Sequence, residues 1–101
     1  MPCNRNTPKL ENDVAEALLT QLNGWRLEAG RLTKSFRFKD YLGAIEFVNA
    51  LTPLAEAAAH HPDLEVGWGR VRIELITDVI GALSEIDFVL AARIDRLPYS
   101  P

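Results

Sequence analysis

Twice in 101 residues the apolar period of this chain switches from two, the mark of a half-buried strand, to about 3.6, the mark of a helix. Leu32, Phe36 and Phe38 alternate with Thr33, Ser35 and Arg37; from Asp40 onward Tyr41, Ala44, Ile45, Val48, Leu51, Ala55, Ala58 and Ala59 form a broad helical stripe. Val71, Ile73 and Leu75 then alternate with Arg72 and Glu74, and Ile86, Leu90 and Ile94 follow at spacing four. Ahead of both, Leu10 to Leu22 carries a helix signal, with Val14, Leu18, Leu19 and Leu22 on one face. The predicted order is α-β-β-α-β-β-α. It specifies an α+β fold of two layers, a four-stranded antiparallel sheet with three helices on one face.

Turn and cap residues divide these segments. Asn23-Gly24 ends the first helix, Ala29-Gly30 turns a hairpin between Trp25-Leu27 and Arg31-Phe38, and Gly69-Arg70 turns another between Leu64-Trp68 and Val71-Thr77. Asp13 with Glu16 resembles a capping box, although Asn12 could equally be the cap; Ser84 with Asp87 at the third helical position has the same form. Pro53 removes a hydrogen bond inside the second helix and crowds the carbonyl of Asn49, which predicts a kink near Asn49 or two helices joined there. Residues 1–9 and 98–101 read as flexible tails around one domain spanning 10–97.

The chain is 48% hydrophobic and 25% charged, the balance of a soluble globular domain, and no stretch approaches the ~20 apolar residues that span a bilayer. Its net charge of −3, with arginines and lysines interleaved among acids, speaks against direct nucleic-acid binding. Cys3 is the sole cysteine, so no internal disulfide can form. Met1 to Asn6 lacks the apolar run of a signal peptide, which points to the cytoplasm.

Both histidines stand together, His60-His61, at the end of a helical stretch and before Pro62. Histidine is the side chain whose ordinary titration lies near neutrality, so the pair suggests proton transfer; a cationic helix terminus followed by a proline stop explains it equally well. Glu56 precedes His60 by four residues, which on a continuing helix stacks carboxylate and imidazole on one face. His61 then points about 100° away, so the two rings do not chelate one metal, and with so few soft ligands no metal site is expected.

Glu56-Ala57-Ala58-Ala59-His60-His61-Pro62, with Trp68 and Asp87 downstream, resembles the signature of the pterin-4a-carbinolamine dehydratase family. The likeness extends through Gly24-Trp25, the Leu32 to Phe38 strand, Tyr41, Ala44, Phe47, Leu54-Ala55-Glu56, Trp68-Gly69-Arg70-Val71, and Gly81 with Leu83-Ser84 through Asp87, covering about residues 10–96. The resemblance implies an enzyme that dehydrates 4a-hydroxytetrahydropterins to quinonoid dihydropterins without metal or cofactor. By position, His60 and His61 look like active-site histidines, Glu56 like the carboxylate that orients one of them, and Trp68 like part of the pocket wall. Asp87 is read as a helix cap.

The family pattern expects a third histidine, sometimes tryptophan, where this chain has Asp78. A carboxylate is ionised at neutral pH and cannot donate a proton as an imidazolium does. The chain is therefore expected to be an impaired or non-catalytic binding or assembly factor, the alternative being a working dehydratase. The resemblance also implies a homodimer or larger oligomer, built on helix 40–59. Possible partners are a pterin or, as in a divergent carboxysome-associated branch, RuBisCO. Leu42, Phe47 and Leu54 lie off the main stripe of that helix and, if exposed, would support such an interface; Trp25 is expected in the core, and Tyr99 in the terminal tail.

Overall fold

Two residues with positive φ, Ala29 at 51° and Gly30 at 76°, close the first hairpin, because a turn of that twist matches the right-handed twist of its strands. The computed structural model describes residues 6–98, so Cys3 and Tyr99 lie outside the described residues. The order is α1 (Asn12–Leu19), β1 (Arg26–Glu28), β2 (Arg31–Arg37), α2 (Tyr41–Ala58), β3 (Asp63–Gly67), β4 (Arg70–Leu75), a short 3-10 helix (Asp78–Ile80) and α3 (Glu85–Asp95). The strands form one antiparallel sheet in the order β1-β2-β4-β3. The α-β-β-α-β-β-α order and two-layer architecture are those expected.

Period-two alternation sets the register. Phe36 pairs with Val71 and Leu32 with Leu75, so the apolar residues of β2 and β4 share one face. On that face Leu32, Phe36, Val71, Ile73 and Leu75 bury against Ala44, Phe47 and Leu51 of α2 and Phe88, Leu90, Ala91 and Ile94 of α3. Trp25 is buried, as expected, edge-on to Phe36. The opposite face is charged: Arg72 reaches Glu28, Glu65 and Glu74, and Arg31 reaches Asp63 and Glu74. Hydrogen bonding to Glu74 is the largest cause lifting the Arg72 pKa above its ordinary value, with Glu28 adding to it.

Lys34 is the exception on the inner face. Its Nζ meets Asp95 Oδ1 at 2.9 Å and the Asn23 carbonyl at 2.7 Å, while Trp25 Nε1 donates to the same carboxylate. The ammonium also lies 4.6 Å from the centre of the Phe36 ring. These contacts satisfy a charge that would otherwise be costly there, and they join β2 to the end of α3.

Several local expectations change. α1 is shorter than 10–22, its N-cap is Glu11, and no side chain caps it, so neither Asn12 nor the Asp13–Glu16 pair does so; Asp13 Oδ1 instead accepts from the adjacent Val14 N–H. Val14 itself is exposed. One helix runs through Pro53, which removes the two-helix alternative. Of the off-stripe residues on α2, Phe47 is buried between Phe36 and Phe38, Leu54 is half-buried, and Leu42 is exposed. Tyr41, expected on the buried stripe, is exposed because the inward face runs through 44, 47, 51, 55 and 58.

The second hairpin turns at Trp68-Gly69, one residue earlier than expected. Gly69 has φ 68°, its carbonyl accepts from Phe38 N–H at 2.8 Å, and a Cβ there would stand 2.8 Å from the Phe38 carbonyl oxygen. Gly30 has similar backbone but open space around it. Gly69→Ala is therefore expected to destabilise the chain by at least about 2 kcal/mol and Gly30→Ala by about 1 kcal/mol. Urea denaturation of the two variants separates the clash from the shared backbone strain.

Candidate active site

The site is made by the way α2 stops. Ala59 takes a left-handed conformation, φ 50° and ψ 39°, and the chain reverses there. His60 N–H donates to the Ala55 carbonyl and Ala59 N–H to the Glu56 carbonyl, both at 3.1 Å, the paired bonds of a Schellman motif. Pro62 follows, where no helix can continue. Had the helix run on, His60 would share a face with Glu56. Instead the reversal turns His60 inward to 7% exposure and leaves His61 outside.

The carboxylate partners follow from that reversal. His61 Nε2 lies 2.5 Å from Glu56 Oε2, a pair about two-thirds exposed on both sides. The expected Glu56–His60 contact is thus replaced by Glu56–His61. His60 Nε2 lies 2.5 Å from Oδ1 of Asp87, which has no exposed surface. Asp87 Oδ2 accepts from Ser84 N–H at 2.9 Å, closing the capping box of α3, and from the Thr77 hydroxyl at 2.9 Å. As an acceptor-only carboxylate, Asp87 assigns the proton of its third bond to His60 Nε2. Asp87 therefore caps α3 with one oxygen and holds a histidine with the other.

His60, His61 and Asp78 come together. With Ala59, Ile76, Thr77 and Val79 they line an open cleft of about 180 Å³. Asp78 begins the 3-10 turn on the cleft wall, clipped at its base by a bridge between Thr77 and Ala82. Trp68 is not among the lining residues; it stands at the β3–β4 turn, 72% exposed, at the far end of β3 from Pro62. A larger hollow of about 690 Å³, beside Phe38, Gly43, Phe47 and Pro98, contains no histidine and no close acid–base pair, so chemistry rather than size singles out the smaller cleft. Among the described residues no cluster of three or more His, Cys, Asp or Glu is arranged to hold a metal, and no described helix is long and apolar enough to cross a membrane.

Thr77 is the participant that sequence reasoning passed over, and Ser84 was read only as a cap. A signal was present: Val71, Ile73 and Leu75 mark the inward positions of β4, and two residues further the alternation arrives at a threonine. No local spacing announces the bond from Asp87 to His60, which are 27 residues apart.

Residues 8–97 match the family model for pterin 4 alpha carbinolamine dehydratase. A protein of Rubrobacter xylanophilus is 44% identical over 98 residues, covering 96% of this chain and 92% of its own length, and one of Nitrosomonas eutropha is 43% identical over 97 residues, covering 95% and 86%. Both carry provisional pterin-4-alpha-carbinolamine dehydratase names. Among solved structures, a transcriptional coactivator/pterin dehydratase from Brucella melitensis superposes with a TM-score of 0.83 at 28% identity, covering 87% of this chain and 96% of that one. A pterin dehydratase-like protein identified as a RuBisCO assembly factor in the alpha-carboxysome gives 0.61 at 32% identity, covering 72% and 87%.

Two stability effects follow from the geometry. Asp87→Ala strands a buried histidine, a hydroxyl and a helix N-terminus, and is expected to cost about 3 kcal/mol or more. Ala59→Gly relieves the left-handed strain and is expected to stabilise the chain by about 1 kcal/mol. Chemical denaturation of each variant against the native chain checks both signs.

Proposed function

The chain belongs to the pterin 4 alpha carbinolamine dehydratase family, and from that membership we propose that its cleft binds a 4a-hydroxytetrahydropterin and dehydrates it, slowly. The observation that carries this reading is the buried Asp87–His60 pair beside an exposed His61, since dehydration needs two proton transfers close together. One transfer removes the proton from the ring nitrogen next to the carbinolamine carbon. The other protonates the departing hydroxyl, so that the carbon–oxygen bond breaks and water leaves with the quinonoid dihydropterin as product. His60 and His61 divide these steps. Asp87 fixes the first ring, and Glu56 orients the second at the mouth of the cleft.

Asp78 limits the rate. Standing where a third imidazole is expected, it contributes an anion to the cleft wall and no proton to the leaving group. Trp68 takes no part within one chain; with Tyr41 and Leu42 it is among the exposed large hydrophobics available to a second copy in a homodimer or larger assembly.

A second reading is favoured by the 32% identity to the RuBisCO assembly factor together with Asp78. In it the cleft is a remnant and the exposed aromatic surface receives a client protein, with RuBisCO the candidate and the carboxysome the place.

Freshly generated 4a-hydroxytetrahydropterin separates the two readings. Native protein is expected to speed formation of the quinonoid dihydropterin, His60→Ala and His61→Ala each to lower turnover by about 100-fold or more, and Asp78→His to raise it. Absence of turnover in both the native chain and Asp78→His overturns the enzymatic reading. Capture of RuBisCO by the native chain, undiminished by His60→Ala, would then establish the second.

A further inference from the structure

We propose that Thr77 is a positioning residue of the cleft, setting the orientation of His60 through Asp87 with its hydroxyl and the position of Asp78 with its main chain. The inference rests on the functional reading above only for its consequence in turnover; the arrangement itself is read from the buried hydrogen bonds.

Thr77 has no exposed surface, Ser84 has 1% and Asp87 none. Thr77 Oγ1 lies 2.6 Å from Ser84 Oγ and 2.9 Å from Asp87 Oδ2. A threonine hydroxyl has one proton, and a carboxylate can only accept, so that proton goes to Asp87. Ser84 must therefore supply the proton of the bond to Thr77. All the donors run one way, from Ser84 to Thr77 to Asp87, and His60 meets the same carboxylate from the other side.

The main chain of Thr77 acts on the opposite wall. Its N–H donates to the Ala82 carbonyl and its carbonyl accepts from Ile80 N–H, both at 3.1 Å, which clips the loop that begins with Asp78. One residue thus holds the histidine side and the aspartate side of the cleft in a fixed relation. Packing alone does not account for a threonine here. The position continues the Val71, Ile73, Leu75 alternation, where valine would have the same shape and no hydroxyl to desolvate.

Thr77→Val and Thr77→Ser distinguish positioning from packing. Two quantities are read: the hydrogen-bonded ring N–H resonance of His60 in protein carrying isotope-labelled histidine, and dehydratase kinetics. Thr77→Val is expected to shift or broaden away the His60 resonance and to lower kcat about tenfold with KM unchanged, while Thr77→Ser restores both. Should Thr77→Val not fold, Ser84→Ala, which removes the hydroxyl that orients Thr77, is expected to shift the same resonance. A folded variant of either kind with an unchanged His60 resonance overturns the proposal, whatever its activity. If the native chain shows no turnover, the resonance alone decides the role of Thr77, and the failure falls on the dehydratase reading instead.

Discussion

A carboxylate with no exposed surface must be satisfied from within, and Asp87 is satisfied by three donors from three different parts of the chain. Ser84 belongs to the start of α3, Thr77 to the segment after β4, and His60 to the segment beyond α2. Removing any one of them leaves a buried acceptor short of a partner, a penalty comparable to a sizeable share of the stability of so small a domain. The cleft is therefore a by-product of how the layers are fastened. Its histidine is held by the same carboxylate that caps a helix, so the position of His60 is tied to the folding of α3. His60 is thus fixed by the fold, whereas Asp78 stands exposed on the cleft wall.

What the sequence made legible were features set by neighbours along the chain. The alternation of Val71, Ile73 and Leu75, the stripe through Ala44, Leu51, Ala55 and Ala58, the Ala29-Gly30 turn and the Ser84/Asp87 capping box all depend on residues a few positions apart, and the structure contains each of them. What it hid depended on a reversal or on distance. Glu56 meets His61 rather than His60 because α2 stops one residue before Ala59, and the left-handed residue there is an alanine where a glycine would have announced the stop. Asp87 was legible as a cap and not as a histidine partner, since nothing near it in sequence names His60. The capping signal at Asp13 and Glu16 was present without effect, because α1 begins at Asn12 and its N-cap, Glu11, makes no side-chain capping bond.

The two functional readings are separated by different parts of the molecule. His60, Asp87 and Thr77 form a fully paired, buried assembly suited to controlled proton transfer, which favours chemistry. Asp78 and the exposed Trp68, Tyr41 and Leu42 favour association. These features are physically independent: the first is interior to one chain, and the second is a surface property.

α3 is fastened at each end by a charge. At its start Asp87 is bound to Ser84, Thr77 and His60; at its finish Asp95 is bound to Lys34 and Trp25. A helix tied only by apolar contacts can fray from its ends inward, one turn at a time. Fraying of this one at either end must also break an ion pair or a buried carboxylate network. Its opening is thereby coupled to the opening of the sheet, whereas α1, with a single buried residue and no side-chain cap, is tied to the core only by apolar packing of Ala15, Leu18 and Leu19. Local opening of the N-terminal helix is thus expected to cost less than opening of α3.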